Sequence, residues 1–322
     1  MTSWKRRLAG LALALAAPLA HGQDPQSRPV RIVVPFAPGG GSDILARAIA
    51  VPLQKELGRN VFVENRAGAS GNIGADFVAR SAPDGATLLF TAAPFAIAPA
   101  LFPKLDFDPV KDFTPITQVA IVPLLVVTRP ESPLNSLSDL VKMAREQGDK
   151  VTFASFGNGS PPHLVGESIN QIAGIHMTHV PYKGSNAALA DVISGNVTVA
   201  ILDAVSMAPQ VKSGRLKALA ITGPKRSPAL PHVPTLGQAG IAFDTVGWHA
   251  VFAPAGMDPA TTRRLNEAFN RVLATADLRD RIVAGGSIPI EPPLDAGQWA
   301  DQFRRDVKAW GDIARSSGAR NE

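Results

Sequence analysis

The chain has 322 residues, with 32 Lys and Arg against 27 Asp and Glu, a formal balance of +5, and no cysteine. That length suggests about two domains, and the missing cysteine excludes disulfides, thiolate metal sites, Cys nucleophiles and a lipid-modified N-terminal Cys. The basic excess does not point to nucleic acid, because three of the basic residues lie in the first 22 and the rest form no Lys/Arg run with interleaved aromatics.

Residues 1–22 read as a signal peptide. Lys5, Arg6 and Arg7 precede the apolar run Leu8 to Ala20, which is too short to span a bilayer comfortably. Ala20-His21-Gly22 then supplies small residues at the two positions a signal peptidase reads. A membrane anchor is the competing reading, and the short run with its cleavage pattern argues against it. A cut before Gln23 leaves 29 basic against 27 acidic residues, a balance of +2. No later apolar stretch reaches spanning length, so the mature protein is expected to be soluble, in the periplasm or outside the cell.

The mature sequence alternates strands and helices. Val30–Val34 shows little polar alternation and predicts a strand buried on both faces. Ile44–Leu57 predicts a helix with Ile44, Leu45, Ala48, Ile49 and Leu53 on one side, stopped by Gly58. Strand Val61–Glu64, helix Gly71–Arg80, the turn Pro83-Asp84-Gly85 and strand Thr87–Thr91 follow. A second block runs strand Leu124–Thr128, helix Leu137–Gln147, strand Val151–Ala154, helix His163–Ala173, strand Thr178–Val180 and helix Ala187–Ser194. Strand Val197–Leu202, helix Ser206–Lys212 and strand Leu216–Ile221 close it, before the Pro-rich stretch Pro224 to Gly240. Val246–Ala253 predicts one more strand, and Pro259–Ser317 three helical stretches without strands.

The repeated β-α-β units predict mostly parallel sheets with helices on both faces. The tail needs an apolar surface to cover, so the chain is expected to return to its first sheet. That gives an α/β protein of two lobes, 23–122 plus 247–322 and 123–246. Crossings near Val119–Pro123 and Thr245–Ala250 would form a hinge.

Two turns stand out. Val30–Val34 leads into Pro35-Phe36-Ala37-Pro38-Gly39-Gly40-Gly41-Ser42-Asp43, and Val151–Ala154 leads into Ser155-Phe156-Gly157-Asn158-Gly159-Ser160-Pro161. Each joins a strand to a helix start, where unpaired backbone N–H groups and the positive end of the helix dipole favour an anion. The pair suggests a small anionic molecule held from both sides. A nucleotide loop does not fit, because the Gly-Lys-Ser/Thr ending and the G-x-G-x-x-G spacing are both missing. A plain tight turn is the other reading.

From these residues the chain resembles the tripartite tricarboxylate transporter solute receptors, or Bug-type periplasmic binding proteins. The resemblance starts at Pro35–Asp43 with Ala46-Arg47. It continues through Glu64–Gly74, Ala82–Leu89, Gly157–Ser160 with His163-Leu164, His179–Gly184 and Ala218–Thr222. It ends at Leu230-Pro231, Val233-Pro234-Thr235 and Phe252–Gly256. These matches are in order and cover nearly all of the mature chain. The resemblance implies a periplasmic-binding-protein-like fold and a receptor, not an enzyme. It implies delivery of a small organic carboxylate to a membrane transporter of the same type. One departure is the apolar segment Thr91–Pro99, with Ala98 where the family often has Asn, which implies a ligand with a less polar body. The other is Ala86, where Tyr or Phe is usual, and it is expected to be neutral.

The candidate ligand residues are Phe36, Ala37, Pro38, Gly39, Gly40, Gly41, Phe95, Ser155, Phe156, Asn158, Ser160, His163 and Asp203. Ala37–Gly41 would offer backbone N–H groups, and Ser155, Asn158 and Ser160 side-chain donors. Ser160 before Pro161 is also a good N-cap. Asp203 ends a strand where ligands sit in open sheets, and equally fits a helix cap. Phe36, Phe95 and Phe156 would form apolar walls, as could Trp248, for which core or hinge packing is the stronger reading. His163 stands alone, and no histidine or acid stands at metal-ligand spacing, so neither metal nor cofactor is expected. Nucleic acid is not expected as a partner, and the receptor is expected to be a monomer. An exported α/β hydrolase lacks its Gly-x-Ser-x-Gly turn, since Pro161 and Pro162 follow Ser160. A receptor that feeds a signalling partner instead of a transporter stays open.

Overall fold

The computed structural model describes residues 28–319, so the predicted signal peptide lies outside the described residues. The chain runs β1 (Val30–Val34), α1 (Gly41–Leu57), β2 (Val61–Asn65), α2 (Asn72–Ala79), β3 (Thr87–Ala92), α3 (Pro94–Leu101) and β4 (Phe113–Val122). It continues with β5 (Leu124–Thr128), α4 (Leu137–Gln147), β6 (Thr152–Ser155), α5 (Pro161–Ala173), β7 (Thr178–Pro181) and α6 (Ser185–Ser194). Then come β8 (Val199–Asp203), α7 (Ala204–Lys212), β9 (Lys217–Ile221) and β10 (Gly247–Pro254). The tail is α8 (Pro259–Leu273), α9 (Ala276–Ala284), β11 (Ile288–Pro289) and α10 (Ala296–Ser316).

These strands make two sheets. The first has six strands in the order β11-β4-β10-β3-β1-β2 and the second five in the order β7-β6-β8-β5-β9. Both are mixed. β1 runs parallel to β2 and β3, and β6 runs parallel to β7 and β8, as the β-α-β pattern predicts. β10 and β5 run against their neighbours. The reason is where they begin: each enters its sheet from the other one, at the end where the parallel strands finish. β5 starts one residue after β4 ends, with Pro123 between them, and β10 carries the chain back into the first sheet.

The core follows the two-residue period of the strands. Val30, Ile32 and Val34 point to a cluster with Ile49 and Leu53 of α1 and Leu265 and Phe269 of α8. Val33 and Leu89 point the other way, onto Ala75 and Val78 of α2 and the aromatic group Phe252, Trp299 and Phe303. Both faces of β1 are therefore covered, which explains why it is apolar at every position but Arg31, whose side chain pairs with Glu64. Burying each Leu- or Val-sized side chain contributes about 1.5–3 kcal/mol. α10 starts with a capping box between Asp295 and Gln298. It packs on α3 and α5, and Trp310 meets Phe243 edge-on at 6.4 Å.

Three elements differ from the sequence expectation. β4 carries Pro115 near its start, yet it pairs with β10 along its whole length. α3 has a proline at its first position, another inside and no polar face, so its period is invisible. The tail does contain a strand, the two-residue β11, which adds to the edge of the first sheet beside β4.

Candidate functional site

The first loop is anchored from within. Asp43, in the first turn of α1, is 3% exposed. Its carboxylate accepts the Gly39 N–H at 2.9 Å, the Arg47 Nε–H at 3.0 Å and the Asn65 Nδ2–H at 2.9 Å. Burial alone would raise the Asp43 pKa, but the bonds from Arg47, Gly39 and Asn65 outweigh it and hold the carboxyl below its ordinary range. Gly39 sits at φ +80°, a conformation that favours glycine. Its amide is engaged by Asp43, so Gly39 serves the loop's shape and offers no donor to a ligand. Ala37, Pro38, Gly40 and Gly41 are exposed beside it.

The second loop is also self-contained. Ser155 is fully buried, and its hydroxyl meets His179 Nε2 at 2.7 Å and accepts the Gly157 N–H at 3.1 Å. Ser160 stands at the N-cap of α5, but its hydroxyl donates to the Gly157 carbonyl at 2.6 Å and caps nothing. The expected side-chain cap is therefore absent: Pro162 at the second helical position has no N–H to offer, and the hydroxyl turns to the carbonyl inside the loop. His163 Nδ1 accepts the Gly159 N–H at 3.0 Å, and its ring stacks on His179 at 3.9 Å. Burial lowers the pKa of both imidazoles, that of His179 to about 4, with His163 beside it adding to the effect. Asn158 is exposed at the tip.

A cavity of about 190 Å³ lies between the two sheets. Phe36 and Ser42 reach it from the first loop, and Phe156 and Pro161 from the second. Ala92, Ala93 and Pro94 line it from the end of β3, with Val122, Leu124, Gly247 and Trp248 from the two crossings. Asp203 and His249 complete the lining, which contains no Lys or Arg. Of the predicted residues, Phe36, Phe156 and Asp203 thus meet in one cavity. Ser155, Asn158, Ser160 and His163 do not line it; they shape the loop behind Phe156. Phe95 is a correction: it is buried among Phe113 at 4.9 Å, Phe252 at 5.0 Å and Phe303 at 5.7 Å, because α3 turns it into the aromatic core. Ala98 is buried on the same helix, so that departure lies away from the cavity as well. Asp203 caps α7 by accepting the Ser206 N–H at 2.8 Å, and it accepts the Ser185 hydroxyl at 2.9 Å.

Sequence reasoning missed Ser42 and His249. Ser42 Oγ lies 2.9 Å from His249 Nε2, across 207 positions of chain. His249 is buried on β10 and stacks on Phe90 at 5.6 Å, and burial lowers its pKa to about 4. The only available signal was a histidine inside an apolar strand. Among the described residues no group of three His, Asp or Glu could hold a metal, and no helix is long and apolar enough to cross a membrane.

The family model described as a tripartite tricarboxylate transporter family receptor matches residues 45–318. The chain belongs to this family. Protein BugT of Bordetella pertussis strain Tohama I is 37% identical to this receptor over 311 residues, 95% of this chain and 94% of that protein. Among solved structures, MatC of Rhodopseudomonas palustris with bound malate is 33% identical with a TM-score of 0.76, covering 89% of this receptor and 99% of that chain. Rpa4515 of R. palustris with adipate is 31% identical with a TM-score of 0.79, covering 91% and 98%. The periplasmic binding protein BugD is 31% identical with a TM-score of 0.77, covering 91% and 99%. The receptor has the periplasmic-binding-protein fold, and its family is one of solute-binding receptors and not of enzymes.

Proposed function

We propose that this receptor is exported to the periplasm, captures a small organic carboxylate between its lobes and delivers it to the membrane subunits of a tripartite tricarboxylate-type transporter. The single observation that carries the reading is the convergence of two helix starts on one cavity. Ser42 in the first turn of α1 and Pro161 in the first turn of α5 both line it. Their dipoles favour an anion where no Lys or Arg is present. Relatives crystallised with malate and with adipate support an organic acid. The lobes are 23–122 plus 247–322 and 123–246, with residues 1–22 removed on export. The receptor acts as a monomer, and without a cysteine it is not lipid-anchored through one. Phe36 and Phe156 face the ligand body, and Ala37, Pro38, Gly40 and Gly41 face its charged end.

A thermal-shift screen of organic acids, sugars and amines tests the ligand class. An acid at 100 times its dissociation constant is expected to add about 2.7 kcal/mol of stability. Stabilisation by sugars or amines alone would refute the reading. Mass spectrometry of the molecule that co-purifies would name the acid.

Closure of the lobes is a separate expectation. A ligand touching both shifts the equilibrium only by its difference in affinity for the open and closed states. Asn60 and Lys212 are exposed, one in each lobe, and the chain has no native cysteine to interfere with labelling. Spin labels on Asn60→Cys and Lys212→Cys are expected to show a ligand-dependent distance distribution by double electron–electron resonance. Identical distributions with and without saturating acid would end the hinge proposal.

A further inference from the structure

The buried histidine of β10 bears directly on Ser42, one of the few polar groups that line the cavity. His249 is 6% exposed, with Nε2 2.9 Å from Ser42 Oγ and Nδ1 buried without any hydrogen-bond partner. A neutral imidazole carries one proton on one of these nitrogens. On Nδ1 the proton would be a buried donor with nothing to accept it. The Ser42 hydroxyl would then have to give its own proton to Nε2. On Nε2 the proton is donated to Ser42 Oγ, and Nδ1 keeps only an unfilled lone pair, the cheaper of the two defects. In that arrangement the Ser42 O–H is released, and Ser42 lines the cavity.

We propose that His249 is held as the Nε2–H tautomer and so turns the Ser42 hydroxyl proton into the cavity, where it donates to the carboxylate of the ligand. Ser42 is then a specificity-determining contact, and His249 is its positioning residue. The inference rests on the carboxylate-receptor reading above and adds a side-chain donor to the backbone donors of the loop. It also supplies a reason for placing a polar residue in an otherwise apolar strand.

Other charged groups near His249 do not replace this role. Asp203, at the start of α7, lines the same cavity, with one carboxylate oxygen bonded to the Ser206 amide and the other to the Ser185 hydroxyl. Arg281 of α9 shares a neighbouring cavity of about 330 Å³ with His249 and is ion-paired to Asp277 at 2.9 Å. Asp43, one residue from Ser42, is turned to Arg47, Asn65 and Gly39.

The test uses the full mature receptor and the tightest binder from a panel of malate, adipate, citrate and benzoate. Calorimetry is expected to show a loss of roughly 10- to 100-fold for Ser42→Ala, the range for removing a hydrogen bond to a charged group. Ser42→Thr should stay close to wild type. His249→Phe keeps the ring stack but not the donor, and should lose affinity by a similar factor. His249→Gln, which places an amide N–H near the Nε2 position, should recover part of it. The Ser42→Ala, His249→Phe double variant should be no weaker than Ser42→Ala alone. Nitrogen-15 correlation spectra of the ligand-free protein should show Nε2 protonated and Nδ1 bare. Affinity should stay within about two-fold between pH 6 and 8, since a neutral His249 does not titrate there. A bare Nε2 overturns the proposal, as does affinity that climbs steadily on acidification. A wild type that binds an acid while Ser42→Ala binds it equally overturns this pair alone. A wild type that binds no acid of any kind overturns the receptor reading and this inference with it.

Discussion

Gly40→Val is expected to abolish acid binding while the protein stays folded, and Gly39→Val to lose both binding and stability. Gly40 has φ −76° and ψ 165°, which any residue adopts, and an added Cβ would meet only the Ala37 carbonyl at 3.6 Å. A valine there fits the backbone but screens the open amides at the start of α1 and fills the space before them. Gly39 differs. Its φ of +80° strains any side chain, and a β-branched one most, at roughly 1–3 kcal/mol. The shift would also pull its amide from the buried Asp43 carboxylate, on which Arg47 and Asn65 converge. Calorimetry with the best-binding acid, beside thermal melts followed by circular dichroism, separates the two effects. A folded Gly40→Val that binds normally would move the site away from this loop.

The folded state is expected to lose stability on acidification from about pH 6.5 to pH 4. His179 and His249 titrate in the folded protein at about 4, against an ordinary value of 6.5. Between those values the unfolded chain binds protons that the folded chain refuses, so stability falls as pH falls and the loss is complete near pH 4. For the buried His249 the shift corresponds to about 3 kcal/mol, at 1.36 kcal/mol per pKa unit. His163 acts in the same sense, its pKa also lowered by burial. Two carboxyls oppose them. Burial raises Asp306 to about 6 and raises Glu167, so both favour the folded state as pH drops. The three histidines should prevail over the two acids. Urea unfolding at pH 7.5 and pH 4.5 measures the difference, and His249→Phe should remove about 3 kcal/mol of it. An equal difference in that variant would mean His249 takes up its proton freely in the folded protein.

Much of the fold was legible because its signals are local. β1 and β5 are short, largely apolar runs and α4 carries a helical period, each over the predicted length, and Gly58 ends α1 in the left-handed conformation that its position suggests. β4 was not legible, because Pro115 interrupts a run whose strand character comes from pairing with β10, more than 100 positions later. The family could be read from ordered strings of Gly, Pro and Asp that shape loops. The site was harder. A phenylalanine after a proline just past a strand looks the same whether it faces a cleft, as Phe36 does, or a core, as Phe95 does. Which amides remain open depends on Asp43 and His163 folding back onto Gly39 and Gly159, and no spacing rule reports that. Each loop also has a serine bonded to a histidine of another strand, Ser42 to the buried His249 of β10 and Ser155 to the half-buried His179 of the neighbouring β7. Such pairs exist only after the sheets have formed.

The two crossings between the sheets lie side by side. One is Pro123 alone, between the end of β4 and the start of β5. The other arrives at Gly247, the first residue of β10, which pairs with Val122 so closely that a Cβ would stand 2.7 Å from the Val122 carbonyl. Crossings held together this closely act as a pivot and permit rotation more readily than sliding. Displacement in a rotation grows with the length of the lever arm. In the proposed closing motion, Val122, Leu124 and Trp248 sit at the fulcrum and hardly travel, while the exposed tips at Pro38 and Asn158 sweep the longest arcs. In that proposed motion the fulcrum end of the cavity would be the fixed template against which a bound molecule is held. The sweeping tips would add their contacts only as the lobes close around it.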